Sequence, residues 1–424
     1  MSLNFPEKIF ILIPWFHPAY KAGGPVRSVA NMVRQLDNSQ LSMVNSQWSE
    51  GNETQKVNET DKVLFEFKIF TSNKDLDGTV LQNVEFDKWV HYSENTEVWY
   101  SSDNKLLPVL KGEISNESPA YLFIVGIYSW PFNFKPLLFC KGVKKIISVR
   151  GMLHPGALSQ KSFKKKFYLA VWKLLGLQRK NIFHATDEQE KQYIQQVFGS
   201  GVSIKVAANF PGVLSQQPVV EKTEGSLKLV SIGLISPMKN ILLILDAINS
   251  MLLRRETLRQ AQGDSTLLSG SRNIYYNIYG PIKDKSYWEE CEQLIKKMPA
   301  NIIVYYHGDV QPKNIEQVLA QNQVFILPSK SENFGHAIYE ALTAGRPVIT
   351  SNHTPWNNLK DSKAGINVST ENTNELRSAI EFFAAMNQEQ LTEWSNGARE
   401  YALKAVDMDR TRKEYGEMFK ESGV

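Results

Sequence analysis

The sequence predicts an α/β protein built from two doubly wound, Rossmann-like domains, and three observations predict it. Apolar runs of strand length alternate with helical patterns through both halves of the chain. A polar stretch without periodicity, residues 213–226, separates the halves, and the alternation then starts again at Leu227. In the second half Val324-Phe325-Ile326-Leu327 leads through a loop and a helix to Pro347-Val348-Ile349, which reads as one unit of a parallel sheet. The expected organisation is a first domain over residues 1–212, completed by a helix over about 400–424, the linker 213–226, and a second domain over 227–399.

Taken in order, Lys8-Ile9-Phe10-Ile11-Leu12-Ile13-Pro14 reads as a buried first strand. Gly23-Gly24-Pro25 follows, and Val26, Val29, Ala30, Val33 and Leu36 then form the apolar face of a helix, with Pro25 suited to its first turn. Residues 37–66 are polar and weakly patterned, which predicts a long loop. Further strands are expected at Phe67-Lys68-Ile69-Phe70-Thr71, Val98-Trp99-Tyr100, Tyr121-Leu122-Phe123-Ile124-Val125 and Ile146-Ile147-Ser148-Val149. The last of these ends in Arg150-Gly151, with His154 four residues beyond Arg150. Asn181-Ile182-Phe183-His184-Ala185 is a strand, and Thr186 with Gln189 signals a capped helix that stops at Gly199.

In the second half Leu227 opens a strand to Ile232, and Ser236 then Pro237 read as N-cap and first residue of a helix. That reading puts Lys239 in the first helical turn, where a cation is unfavourable unless an anion is present. Residues 253–271 read as a polar insertion. Strands are expected over 273–279 and 302–306, and helices over 285–297, 314–320, 375–386 and 390–422. His307-Gly308-Asp309-Val310 forms a strand-end loop.

Composition narrows the function. With 42% hydrophobic and 22% charged residues over 424 positions, the chain can bury full cores and is not of disordered type. A net charge of +4 is too mild to argue for nucleic acid. Two distant cysteines, Cys140 and Cys291, argue against a disulfide framework or a zinc site. No apolar run reaches membrane-spanning length, and the expected place is cytoplasmic. The segment 161–180 carries Lys161, Lys164, Lys165, Lys166, Lys173, Arg179 and Lys180 and no acidic residue, with Phe163, Phe167, Val171 and Leu174 at helical spacing. Two readings stay open: a domain helix with those apolar residues turned inward, or an amphipathic helix on an anionic membrane surface.

The loop and helix after Leu327 hold the most informative pattern. Ligands of parallel sheets bind at the carboxyl ends of strands, and a helix start offers free N–H groups and a positive dipole end to a phosphate. Glu332 lies in the loop and Glu340 in the helix, with Asn333, Phe334, Gly335 and His336 between them. Carboxylates accept hydrogen bonds from sugar and ribose hydroxyls, while N–H groups meet a diphosphate, so a nucleotide-sugar needs this set of groups. The string from Glu332 to Glu340, continued by Ala344-Gly345-Arg346-Pro347-Val348-Ile349, closely resembles the E-x7-E motif of family-4 retaining glycosyltransferases, the group 1 type.

The resemblance implies a GT-B fold, with two Rossmann-like domains facing across a cleft. It implies that Glu332 binds the donor sugar, Glu340 the ribose, and the Phe334 and Gly335 amides the diphosphate. Gly23 and Gly24 resemble the first-domain loop across from the donor phosphates, and Gly308 a further donor contact. The segment from Gly233 to Asn240, with Ser236, resembles the family's phosphate clamp; Lys239 matches its lysine, and Leu234 stands where arginine is usual. Arg150 stands where many relatives carry a histidine facing the reacting sugar.

The expected activity is a metal-independent, retaining hexosyl transfer from a nucleoside-diphosphate sugar to a carbohydrate or lipid-linked glycan acceptor, as in cell-envelope or capsular polysaccharide synthesis. Glu332, Lys239 and Arg150 are the expected catalytic set. No cofactor and no nucleic-acid partner are expected, and a peripheral place on the inner membrane face goes with the 161–180 segment. A catalytically silent GT-B protein that binds a sugar nucleotide, and a GT-B epimerase or hydrolase, are the alternatives.

Overall fold

The computed structural model describes residues 7–37, 65–103, 105–159, 162–214, 217–262 and 273–420. The chain forms two compact units, Met1–Phe210 with Asp407–Val424, and Pro211–Val406.

The first unit is built on an eight-stranded sheet in the order β3-β4-β2-β1-β5-β6-β7-β8. Its strands are β1 (Glu7–Leu12), β2 (Phe65–Ser72), β3 (Trp89–Ser93), β4 (Thr96–Ser101), β5 (Tyr121–Val125), β6 (Lys144–Ser148), β7 (Ile182–Ala185) and β8 (Ile204–Val206). All pair in parallel except the β3–β4 hairpin at the edge. All five residues of β5 are buried, as expected of a strand covered on both faces. Its longer helices are α1 (Gly24–Leu36), α2 (Leu106–Glu117), α3 (Ser162–Leu174) and α4 (Glu188–Phe198).

The second unit carries β9 (Leu227–Ile232), β10 (Ile274–Tyr279), β11 (Ile302–Tyr306), β12 (Val324–Leu327), β13 (Val348–Ser351) and β14 (Gly365–Val368). They form a wholly parallel sheet in the order β11-β10-β9-β12-β13-β14. The chain thus runs outward from β9 in one direction and then, from β12, in the other, so the strand order reverses between β9 and β12. Its helices are α5 (Ile241–Gln262), α6 (Lys285–Ile295), α7 (Ile315–Ala320), α8 (His336–Thr343), α9 (Thr373–Ala384) and α10 (Gln388–Ala405). A last helix, α11 (Met408–Phe419), returns to the first unit, where the Phe419 ring packs edge-on against Phe65 and Phe123 at 5.7 and 5.6 Å.

Several sequence expectations are corrected. The expected single helix over 390–422 is two, because Val406 is extended and Asp407 caps α11 by accepting from the Arg410 N–H. The cap of α4 is Asp187 rather than Thr186; the Thr186 hydroxyl instead donates to Glu190 at 2.9 Å. Residues 253–262 continue α5, and the rest of the expected insertion lies outside the described residues, as does most of the expected 37–66 loop. Edge strands β3 and β14 and helix α2 escape the sequence reading. The stretch 217–226 packs on the second unit: Lys222 Nζ donates to the carbonyls of Thr223, Ser226 and Ala384.

The inward reading of Phe163, Phe167 and Leu174 is also overturned. These side chains are 83%, 68% and 86% exposed, and Leu169 and Trp172 fill the core side of α3 instead.

Candidate active site

The second unit holds most of the expected site residues, at the carboxyl ends of its strands. After β9, Ser236 to Lys239 form a turn closed by the Lys239 N–H on the Ser236 carbonyl at 2.9 Å. Helix α5 begins only at Ile241, because Asn240 sits in the left-handed region at φ 61 and interrupts it. Ser236 is therefore not an N-cap; its buried hydroxyl donates to the Leu234 carbonyl at 3.5 Å. Lys239 lies before the helix rather than in its first turn. Asn240 repays the unusual backbone by donating to the Pro328 and Thr370 carbonyls at 3.3 and 2.9 Å, which ties the loop after β9 to the loop after β12.

That tie places Lys239 Nζ 2.5 Å from Glu332 Oε1. The same carboxylate oxygen accepts from Ser329 Oγ at 2.7 Å. The Lys330 N–H bonds the Met238 carbonyl at 2.8 Å, and the Glu332 N–H bonds the His353 carbonyl at 3.2 Å. Glu332 is thus held from both flanking loops, with a cation on one side and a hydroxyl on the other. Ser329, Asn240 and His353 were not singled out in the sequence, since only the folded loops bring them together.

Helix α8 follows. Gly335 is its N-cap at φ 77 and ψ 57, with no side-chain cap, and its carbonyl accepts from both the Ile338 and Tyr339 N–H groups. The left-handed backbone selects glycine at 335, and a Cβ there would come within 3.1 Å of Ile338 Cδ1 and 3.2 Å of Trp356 Nε1. The Trp356 indole N–H donates to the Phe334 carbonyl at 2.6 Å, and its ring meets the Phe334 ring edge-on at 5.2 Å. The Phe334 ring also contacts His336, at 4.7 Å between centroids. Asn333 lies in the same loop. Glu340 lies further along α8 and is buried, next to Tyr339, Ala341 and Leu342 of the core.

Three glycines line adjacent strand ends. The Gly233 N–H bonds the Tyr279 carbonyl at 2.9 Å and the Gly280 N–H bonds the Gly308 carbonyl at 2.7 Å. A Cβ at Gly280 would stand 1.8 Å from the Gly233 carbonyl oxygen, whereas one at Gly308, at φ +72, would meet nothing within 4 Å. Beside Gly308, the His307 ring stacks on Tyr279 at 4.4 Å, and burial pushes its pKa down.

The first unit holds the other expected residues. Gly23 is the N-cap of α1 at φ 72 with open space where a Cβ would be, and Gly24 opens the helix. Arg150 follows β6 in the left-handed region at φ 52 and is buried. Its Nη1 donates to Ser28 Oγ at 2.7 Å and to Asn209 Oδ1, linking α1 to the segment after β8. Glu190, buried, accepts from the Gly151 N–H and from the Thr186 N–H and hydroxyl, and burial raises its pKa. Below, His184 Nε2 faces the Ala207 carbonyl at 2.9 Å and Nδ1 faces Ser148 Oγ at 2.8 Å. A carbonyl only accepts, so Nε2 carries the proton and Nδ1 accepts from the serine. Burial first, and the Arg150 charge second, lower the His184 pKa to about 3. The expected catalytic set is thus divided: Lys239 and Glu332 meet in the second unit, while Arg150 is engaged within the first.

The architecture is that of the GT-B class. The whole chain superposes on a sucrose-phosphate synthase from Thermosynechococcus elongatus with TM-score 0.65 and 15% identity, covering 97% of this chain and 98% of that one. It superposes on Anabaena Alr3699/HepE, solved with UDP and glucose, with TM-score 0.60 and 13% identity over 97% and 99% of the chains. In the second unit, residues 215–401 match the family model described as glycosyl transferases group 1. Among curated proteins, 70 residues are 36% identical to the sulfoquinovosyl transferase SQD2 of Arabidopsis thaliana, covering 16% of this chain. Another 57-residue match, 42% identical and covering 12% of this chain, is to a 2-succinylbenzoate–CoA ligase of Haemophilus influenzae. The chain spans 13% of the length of each of these two relatives.

Proposed function

We propose that the protein is a family-4-type retaining glycosyltransferase that moves a hexose from a nucleoside-diphosphate sugar to a carbohydrate or lipid-linked glycan acceptor, in the synthesis of a cell-envelope or capsular polysaccharide. The observation that carries this reading is the Lys239–Glu332 pair between the loops after β9 and β12, where the strand order reverses, with the start of α8 following Glu332. Parallel sheets bind ligands at such a reversal. In the proposed complex Lys239, the Phe334 and Gly335 amides and the α8 dipole meet the diphosphate, rather than a metal ion. Glu340 accepts from the ribose and Glu332 from the sugar, with Ser236, Gly308, Asn333 and His336 lining the donor.

The chemistry follows from that placement. The bond from sugar carbon to phosphate oxygen breaks, the acceptor hydroxyl oxygen bonds to the same face of that carbon, and its proton passes to the leaving phosphate oxygen. Charge grows on that oxygen as the bond breaks, so a cation held there stabilises the transition state more than the ground state. In the first unit Gly23 and Gly24 leave the backbone open to a ligand, and Arg150 acts by fixing the loop after β6 against Ser28 and Asn209. No cofactor enters this reading. It places the enzyme in the cytoplasm, peripheral on the inner membrane face.

A panel of UDP-, GDP-, ADP- and CDP-sugars tests the reading by thermal shift, since a ligand bound only by the folded state raises the melting temperature. UDP-glucose comes first, because a protein of the same fold is solved with UDP and glucose. One nucleotide class should shift the melting point, and the transferred sugar should keep its anomeric configuration by NMR. Leu234, where the family's clamp carries arginine, favours the silent sugar-nucleotide-binding reading as the second one. Binding without transfer to any acceptor selects it, and release of free or epimerised sugar without an acceptor selects a hydrolase or epimerase.

A further inference from the structure

We propose that α3 is a membrane-contact helix that lays its outer stripe on an anionic lipid surface. Phe163, Phe167, Ala170 and Leu174 stand at positions i, i+4, i+7 and i+11, which makes them one line along a helix. All four are exposed. The opposite side of the helix is the one that packs: Trp172 and Leu169 are buried, and the Tyr168 hydroxyl donates to the Ile127 carbonyl at 2.6 Å. The helix therefore has two apolar faces, and among the described residues only one is used by the fold. An aromatic and aliphatic line left in water needs a partner to cover it.

The charges around the line choose that partner. At about 100° per residue, Lys166 and Lys173 fall on one side of the stripe and Lys164 on the other, and all three are exposed. Lys165 points elsewhere: its ammonium bonds the Ala157 carbonyl and lies 5.3 Å from the centre of the Tyr128 ring. Arg179 and Lys180, just beyond the helix, are exposed as well. Between Ser118 and Thr186 the chain has no aspartate or glutamate, so no acidic side chain of that stretch offsets these cations. Trp130, 54% exposed, stacks on Phe134, which in turn contacts Tyr168 of α3. A lysine-flanked apolar line is the side-chain set that settles at a headgroup boundary. A soluble polyanion would use the lysines and leave the phenylalanines in water; an anionic bilayer uses both. Among the described residues no helix is long and apolar enough to cross a membrane, so the contact is with one face.

The inference deepens the peripheral placement in the proposed function and rests on it, and it is tested without assaying transfer, so its failure leaves the transfer reading to its own test. The full chain is floated with phosphatidylcholine vesicles, with and without phosphatidylglycerol. At low salt wild type should rise with the anionic vesicles and not with phosphatidylcholine alone, and part of that attachment should survive raised salt. Lys164→Glu with Lys166→Glu should lower the partition coefficient at least about twentyfold, at about fivefold for each cation near such a surface. Phe163→Ser with Phe167→Ser should keep low-salt attachment but lose what survives raised salt, and Lys283→Glu, an exposed lysine of the second unit, should change nothing. Circular-dichroism melts of all variants should match wild type, since none of these side chains packs in a core. Indifference of wild type to anionic vesicles, salt-resistant binding by the serine pair, or an equal effect of Lys283→Glu would each overturn the proposal. So would sedimentation showing that the stripe joins two copies of the chain.

Discussion

Lys239 and Glu332 are 93 residues apart in the chain and meet at 2.5 Å between the loops after β9 and β12, where the second sheet reverses its strand order. The pair holds a cation at the strand ends. A diphosphate would offer Lys239 a stronger anion while leaving Glu332 to accept from a hydroxyl. Lys239→Ala should therefore lower turnover about a hundredfold or more, a common cost of removing one donor to a charged transition state, with a smaller loss of donor affinity. Steady-state kinetics beside calorimetric donor binding check it. Equal donor affinity in wild type and variant, with neither transferring to a broad acceptor panel, would falsify the enzyme reading. Leu234→Arg, restoring the second cation of the clamp, should tighten diphosphate binding.

Glu332 and Glu340 should separate by ligand. Glu340→Ala is expected to weaken both the free nucleoside diphosphate and the intact donor. Glu332→Ala is expected to weaken the intact donor and leave the free diphosphate nearly unchanged. Each loss should be roughly 1.5–3 kcal/mol, the worth of a hydrogen bond to a charged group. Calorimetric titration of both ligands into both variants reads this directly, and matching effects throughout would remove the role assignment.

Gly280 and Gly308 have neighbouring backbones and opposite tolerances. Gly280→Ala drives a Cβ to 1.8 Å from the Gly233 carbonyl oxygen, a backbone atom that cannot turn away. A loss of more than about 3 kcal/mol of stability is expected, from overlap and disrupted strand ends together. Gly308→Ala meets open space and carries only the strain of a left-handed backbone, about 1–2 kcal/mol. Chemical denaturation of the two variants should show that order.

His184 should make the first unit acid-sensitive. Its pKa falls from 6.5 to about 3 on folding, so below pH 6.5 the unfolded chain binds a proton that the native imidazole does not. Its contribution is present in full above pH 6.5 and is lost as pH falls toward 3, at about 1.4 kcal/mol per pH unit. His184→Gln keeps an N–H for the Ala207 carbonyl and an acceptor for Ser148 without the titration. Stability measured from about pH 7 to about pH 5 should fall more steeply in wild type than in this variant, and parallel curves would exclude the account.

Much of the second sheet was readable from sequence because its strands are apolar-rich runs, with β12 buried along its whole length. Leu227–Ile232, Ile302–Tyr306 and Val324–Leu327 are continuous apolar-rich runs at the bounds expected for them. Edge strands β3 and β14 were not readable, because polar residues or glycine break their apolar runs: His91 and Ser93 in β3, Gly365 and Asn367 in β14.

By itself the sequence determined the alternating α/β class, a local signal of periodicity and turn chemistry, while Glu332, Glu340 and Lys239 were singled out by resemblance to a family motif. Tertiary structure alone decided what long-range packing decides. It brought Lys239 to Glu332 through Asn240 and Ser329, and it turned Arg150 inward onto Ser28 and Asn209. It also chose which face of α3 is the core face. Both faces carry apolar residues at helical spacing, and only the neighbours that bury Leu169 and Trp172 distinguish them, leaving Phe163, Phe167 and Leu174 outside.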